Sequence, residues 1–199
     1  GKLVAAELKA SQGKALVVCG SNDVAKQILV NAINAQLGSY GTTIDLDNYS
    51  NQYKGNDAEF TDFVGEMNRG EVDAVFFLNS NPVYEYHNGQ AIKDALKKVR
   101  LKVTFADRKD ETSVICNIVA PNHYYLVSWV DGNAVEGYYT VIQPTINPVY
   151  DTRQAEQSLM VWSDSTVKDY YTYVRNTWDK ELLAKGGLSG QKGWETLLQ

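Results

Sequence analysis

Between Ala74 and Leu78 the chain carries five apolar residues in a row and then breaks into Asn79-Ser80-Asn81-Pro82. A short apolar run without polar alternation suits a strand covered on both faces, as in a parallel sheet flanked by helices. Asn and Ser side chains bond neighbouring backbone, and the residue before a proline is driven out of the helical region, so the strand ends in a polar loop. Open α/β sheets bind ligands beyond the carboxyl ends of their strands. This loop is therefore either a candidate site or a plain strand-to-helix turn, and the other strands must decide.

Similar runs recur along the chain. Residues 15–19 predict a first buried strand ending in Gly20-Ser21-Asn22-Asp23, and residues 101–106 another ending in Asp107-Arg108. Residues 113–120 form a further extended run ending in Pro121-Asn122-His123, and residues 42–46 alternate as an edge strand does. Helical character marks residues 3–10, 24–37, 58–68, 89–99, 152–161 and 166–184, with Gly38 placed to cap the second of these. Strands alternating with helices predict an α/β fold: a three-layer αβα, doubly wound, mostly parallel sheet with right-handed crossovers. Residues 124–150, rich in Tyr, Gly, Val and Pro, have no helical period and predict a long irregular excursion with short strands. The expected organisation is one nucleotide-binding-type domain over residues 1–185 and a tail over 186–199, whose Trp194, Leu197 and Leu198 need a surface to pack on.

Hydrophobic content of 44% and charged content of 22% are ordinary for a soluble globular chain. A net charge of −5 and the lack of a dense basic run argue against nucleic acid as a partner. No apolar segment nears the roughly 18 residues a bilayer span needs, so no direct membrane span is expected. The start at Gly1 rather than Met is what an excised piece would show, so the lack of a targeting segment says nothing about compartment. Cys19 and Cys116 lie far apart in apolar surroundings and are expected as small buried thiols, with a disulfide between them not decidable from sequence. With no CxxC and two histidines, this chain alone assembles neither a zinc nor an iron–sulfur site.

In a doubly wound sheet the four polar strand ends lie on one edge and can converge. Amides beyond Gly20, at a helix start, suit a phosphate or another anion. Neither GxGxxG nor GxxxxGK[ST] occurs, which argues against a standard dinucleotide or nucleoside triphosphate site. His123 beside Asp107 has the makings of a general base, but no distinct nucleophile accompanies it, so no catalytic residue is assigned. Glu111-Thr112 reads as a capping element. Tyr124, Tyr125, Trp129, Tyr138 and Tyr139 fit an interface or a sugar-binding face equally as well as a satellite core under the excursion.

Several stretches, in order, resemble the molybdopterin oxidoreductases of the dimethyl-sulfoxide-reductase/formate-dehydrogenase type. Residues 16–38 are similar to a nucleotide-binding βα unit of that family, and residues 73–83 resemble its strand ending in Gly-x-Asn-Pro. Residues 105–121, with Glu111-Thr112 and Ile-Val-Ala-Pro, resemble its "Glu-Thr … Ala-Asp-x-x-Leu-Pro" segment; Gly132-Asn133, Glu136-Gly137 and Gln143 resemble its "Asn-x-Glu-Gly-x-x-Gln" segment. The resemblance implies an αβα domain cradling a molybdopterin guanine dinucleotide. Gly20, Ser21 and Asn22 would then lie near pyrophosphate or guanosine, Asn79, Ser80, Asn81 and Pro82 on the next loop, and Asp107 would meet guanine or ribose. The sequence departs from the pattern at Ser80, at Cys116-Asn117 and at Ala120, where the family has Gly, Ala-Asp and Leu. The helix carrying Lys168, Asp169, Tyr170, Tyr171, Val174, Arg175 and Trp178 further resembles the large iron–sulfur subunits of alternative complex III. That resemblance implies a peripheral, periplasmic-side domain partnered by other domains and subunits of a membrane-attached quinol-oxidising assembly. It also implies that the pterin cofactor has been lost and that iron–sulfur clusters lie outside this chain. The rival expectations are the cofactor-binding domain of an active molybdenum enzyme and an extracellular ligand-binding module.

Overall fold

A three-stranded parallel sheet, ordered β1-β2-β3, lies at the centre of the region that carries most of the expected site residues. The computed structural model describes residues 1–52 and 55–199. β1 (Ala74–Phe77) pairs with β2 (Leu101–Thr104), placing Ala74 opposite Leu101 and Phe77 opposite Thr104. β2 in turn pairs with β3 (Ile118–Val119), Val103 opposite Ile118. By contact density the chain forms two compact units, Gly1–Lys54 with Asn133–Tyr139, and Gly55–Gly132 with Thr140–Gln199. The fold is mixed α/β.

In the first unit, α1 (Lys2–Ala10) and α2 (Val24–Gln36) appear where residue spacing predicts them. Asp23 caps α2 by accepting from Lys26 N at 3.0 Å, and Gly38 follows its end at φ 66°. Residues 15–19 correct the sequence reading: they belong to neither sheet, and Leu16 and Val18 are exposed. The physical reason is that side chains have taken over the bonds a ladder would make. Buried Asn34 accepts from Val17 N at 2.9 Å and donates to Val17 O at 2.8 Å, while the hydroxyls of Ser39 and Thr43 donate to Ala15 O. Residues 42–46 are likewise a turn and not an edge strand. Ser39 O accepts from the amides of Thr42, Thr43 and Ile44, and the Asp45 carboxylate captures Asp47 N and Asn48 N.

The excursion supplies a hairpin, β4 (Val130–Val135) and β5 (Tyr138–Ile142), whose turn puts Gly137 at φ 83°. Its tip is bridged by the loop before it in sequence, with Glu136 N donating to Tyr49 O and Asn51 N to Ala134 O, each at 2.9 Å.

In the second unit, α3 (Asp57–Arg69), α4 (Pro82–Glu85) and α5 (Gly89–Leu96) surround β1. Val75 and Phe77 of β1 join Val64, Met67, Ile92, Ala95, Leu96 and Val99 in one core. β1 is not buried on both faces as its apolar run suggests: Phe76, pointing the other way, is 47% exposed. On that side it meets the single ring of Trp162, 6.3 Å away, on which Phe105 also stacks at 5.7 Å. The extended run at 113–120 resolves into a 3-10 turn, Ser113–Ile115, and the two residues of β3. The turn is started by a reciprocal pair, Ser113 N donating to Asp110 Oδ1 and Asp110 N to Ser113 Oγ. Capping is thus displaced by one residue from the Glu111-Thr112 expected.

A second core gathers the C-terminal helices, α6 (Ala155–Trp162) aside. α7 (Tyr170–Thr177) runs on through a π turn, Trp178–Leu182, and α8 (Gly190–Leu197) returns. Val174, Trp178, Leu183 and Trp194 are buried there, with Trp129, Tyr170 and Tyr171 packed around them. The aromatic set divides accordingly: Trp129 is core, while Tyr124, Tyr125, Tyr138 and Tyr139 stay exposed.

Cys19 and Cys116 are both free thiols. Burial pushes the Cys116 thiol up to about 11, and its Sγ donates to Thr112 O at 3.3 Å. At pH 8 only about one molecule in a thousand then carries the thiolate that attacks an alkylating agent. Iodoacetamide at that pH is expected to spare Cys116 in the native protein and label it in urea, read by peptide mass spectrometry. Rapid native labelling at Cys116 would show that the site is open.

Candidate functional site

Beyond the carboxyl ends of β1 and β2 lies a cavity of about 310 Å³. Asn79 enters it after β1, Phe105 and Asp107 after β2, and Asn122, His123 and Tyr124 after β3. Three of the four predicted strand ends in this sheet edge therefore converge, as the parallel topology requires. Asn79 sits at φ 49°, a left-handed conformation that Asn tolerates better than other residues with a Cβ, and this turns the chain sharply at the end of β1.

The loop after Asn79 is not wholly devoted to the cavity. Asn81 Oδ1 accepts from Thr112 Oγ1 at 2.6 Å and from Thr112 N at 3.2 Å, and its amide donates to Glu111 Oε2 at 2.7 Å. Thr112, fully buried, also accepts from Val83 N at 3.2 Å and so ties the start of α4 to the segment after β2. Asn81 is a fastener of two loops. Ser80 and Pro82 line a different, apolar cavity of about 480 Å³ with Phe60, Phe63 and Tyr86. Pro82 opens α4 at its first position, so the strand-to-helix turn is real as well.

Asp107 is held below the usual carboxylate range by the Arg108 guanidinium, which donates two bonds of 2.9 Å to its two oxygens. His123 pairs through Nδ1 with Thr152 Oγ1 at 2.6 Å, and burial lowers its pKa from the ordinary 6.5. Because the folded state favours the neutral ring, this group supports stability above the unfolded pKa and the support is lost as pH falls through the folded pKa. Urea unfolding at a series of pH values is expected to show stability declining below about pH 6.5, with the decline shallower in His123→Gln. Equal slopes in the two proteins would remove His123 from the account.

Sequence reasoning missed Gln154 and Glu156, which line the same cavity from the start of α6. Buried Gln154 donates to Trp129 O at 2.6 Å, and Asn122 Oδ1 accepts from Ala155 N at 2.9 Å, so the helix start is anchored to the cavity wall. Glu156 Oε2 is buried without a hydrogen-bond partner among the described residues. Gln154 and Glu156 both fall within the helix predicted over residues 152–161, and an acidic residue in the first turn of α6 was the available signal.

Gly20, Ser21 and Asn22 lie in the first unit, before α2. The Ser21 hydroxyl accepts from Asp23 N at 3.2 Å, and the Gln27 amide donates to the carbonyls of Cys19 and Ser21. A Cβ added at Gly20 meets nothing within 4 Å, so no neighbouring backbone demands glycine there.

These residues do not fit the diphosphate of a molybdopterin guanine dinucleotide. Of the amides that open α2, that of Lys26 already donates to the Asp23 carboxylate, whose charge opposes a second anion there. The charged residues lining the sheet-edge cavity are Asp107 and Glu156, both acidic. Its volume lies at the bottom of the range for small-molecule sites, about 300–1,000 Å³. Among the described residues no group of three His, Cys, Asp or Glu side chains is arranged to hold a metal. No described helix is long and apolar enough to cross a membrane.

No protein-family model matches the chain. A stretch of 91 residues is 34% identical to the menaquinone reductase molybdopterin-binding-like subunit of Nitratidesulfovibrio vulgaris. That match takes in 44% of this chain and 13% of the relative, so the chain spans a small part of the protein it resembles. The likeness, joined to a mixed α/β fold with a parallel sheet, supports a relationship to the molybdopterin oxidoreductase-related proteins.

Proposed function

We propose that the chain is a domain, non-catalytic in itself, of a molybdopterin-oxidoreductase-like subunit in a membrane-attached, quinone-linked respiratory complex of the alternative complex III type. In this reading its sheet derives from a doubly wound, three-layer αβα fold and sits on the periplasmic side. Iron–sulfur clusters in other parts of the assembly carry the electrons, and other domains and subunits are its partners. Gly20, Ser21, Asn22, Asn79, Ser80, Asn81, Pro82 and Asp107 then mark the former pterin nucleotide loops.

The observation that carries the proposal is the chemistry of the sheet-edge cavity: acidic side chains face it, and Asn81 is committed to Thr112 and Glu111. An anionic nucleotide brought there would meet the Glu156 carboxylate and an Asp107 already paired with Arg108, and recruiting Asn81 would take the acceptor from the buried Thr112 N–H and O–H, at a cost of about 1–3 kcal/mol. Calorimetric titration of the 199-residue chain with GDP tests this. No saturable binding is expected up to millimolar GDP. Tight, stoichiometric binding would favour the active pterin enzyme instead.

A further inference from the structure

His123 also lines a second cavity, of about 450 Å³, that the proposed function does not use. Its walls come from the segment just after β3 and from residues 151–158, where the chain returns and starts α6. The two stretches are tied together: Arg153 N donates to Pro121 O at 3.3 Å, Ala155 N donates to Asn122 Oδ1 at 2.9 Å, and His123 pairs with Thr152. Two charged residues of opposite sign line the cavity, Asp151 and Arg153. Although they are two positions apart, they do not pair with each other, and among the described residues neither makes an ion pair elsewhere.

The Arg153 side chain is held at its root. Its Nε donates to Ser158 Oγ at 3.0 Å; Ser158 is 2% exposed, and its hydroxyl is itself fixed by donating to Gln154 O at 3.3 Å. The two Nη groups are left without an acceptor among the described residues, as a fork whose geometry matches the two oxygens of a carboxylate. The Asp151 carboxylate likewise accepts no bond from any described residue. Burial lowers the His123 pKa from the ordinary 6.5, so at pH 7.5 the ring is neutral and adds no third charge. A simple anion drawn to Arg153 would face Asp151, and a simple cation drawn to Asp151 would face Arg153. A molecule that carries both charges on neighbouring atoms satisfies both residues at once. The volume falls within the usual range for small-molecule sites, about 300–1,000 Å³, which leaves room for a side chain beside Thr152 and Gln157.

We propose that this cavity binds a free α-amino acid, its carboxylate on the Arg153 fork and its ammonium group on Asp151. The site is independent of the pterin question, and GDP, which carries no cation for Asp151, does not fit it.

The test is calorimetric titration of the full chain at pH 7.5 with L-glutamine, L-serine and L-leucine, which offer a long polar, a short polar and an apolar side chain. The tightest of the three is then compared with its two truncated forms, the acid that lacks the ammonium group and the amine that lacks the carboxylate. The expected result is saturable binding of at least one amino acid at sub-millimolar to millimolar concentration, with both truncated forms weaker by about tenfold or more. Arg153→Lys, which keeps the charge and loses the fork, is expected to weaken the amino acid by a similar factor. Asp151→Asn is expected to weaken the amino acid and to tighten the acid that lacks the ammonium group, because the carboxylate that repelled it is gone. That gain separates lost recognition from lost folding. No saturable binding of any of the three amino acids, an acid that binds as tightly as its amino acid, or an Asp151→Asn protein that binds both as the parent does would overturn the site.

Discussion

Replacing Gly89 by alanine is expected to destabilise the second unit by about 3 kcal/mol or more, at the upper end of what overpacking costs. A Cβ at Gly89 would sit 1.9 Å from Val83 O and 3.0 Å from Val83 C, both backbone atoms that no rotamer change can move away. Gly89 opens α5, and Val83 lies in the short α4, so relief requires the two helices to part. Parting them pulls Val83 N from Thr112 Oγ1 and with it the fastening of Asn81. The expected fall in thermal midpoint is about 10 °C, from the usual scaling for a domain of this size. Gly20→Ala is the companion variant. With open space around its Cβ it is expected to stay within about 0.5 kcal/mol of the parent. Equal losses in the two variants would mean that α4 and α5 do not approach as described.

Truncating Trp194 to alanine is expected to cost about 3–5 kcal/mol in urea unfolding. The ring is 2% exposed and lies 5.9 Å from Trp129, 6.1 Å from Tyr171 and 6.4 Å from Trp178. Its Nε1 has no partner among the described residues, so phenylalanine, which removes that donor along with some area, should lose less than half as much. A Trp194→Ala protein within 1 kcal/mol of the parent would show that α8 is not part of this core.

The helices could be read from the sequence because their signals are local. Asp23, Asn56 and Asn88 cap α2, α3 and α5 through their own side chains, and Gly38 and Gly70 follow helix ends with positive φ. The parallel strands 74–77 and 101–104 were legible for a related reason: Ala74–Phe77 is an unbroken apolar run, and Leu101–Thr104 alternates Leu and Val with Lys and Thr, leading into apolar Phe105. Residues 15–19 have the same apolar run and no ladder, because a strand needs a neighbour and Asn34, far along the chain, bonds Val17 instead. Phe76 was misread because an apolar run does not report how much of a face a helix covers.

The candidate site divides in the same way. Asn79, Asp107 and His123 meet because parallel strands deliver their carboxyl ends to one edge. Ser80 and Pro82 turn to another cavity, a consequence of the left-handed Asn79 that no spacing rule foretells. Gln154 and Glu156 reach the site from a helix start whose place depends on the return path of the excursion.

The central claim, a pterin-oxidoreductase fold kept without its cofactor, is tested most directly on the native, full-length parent subunit. Molybdenum would be measured by inductively coupled plasma mass spectrometry and pterin by oxidative fluorescence. The account predicts iron, with neither molybdenum nor pterin in stoichiometric amount. Stoichiometric molybdenum and pterin would contradict it, and would make the loops at Gly20 and Asn81 cofactor ligands.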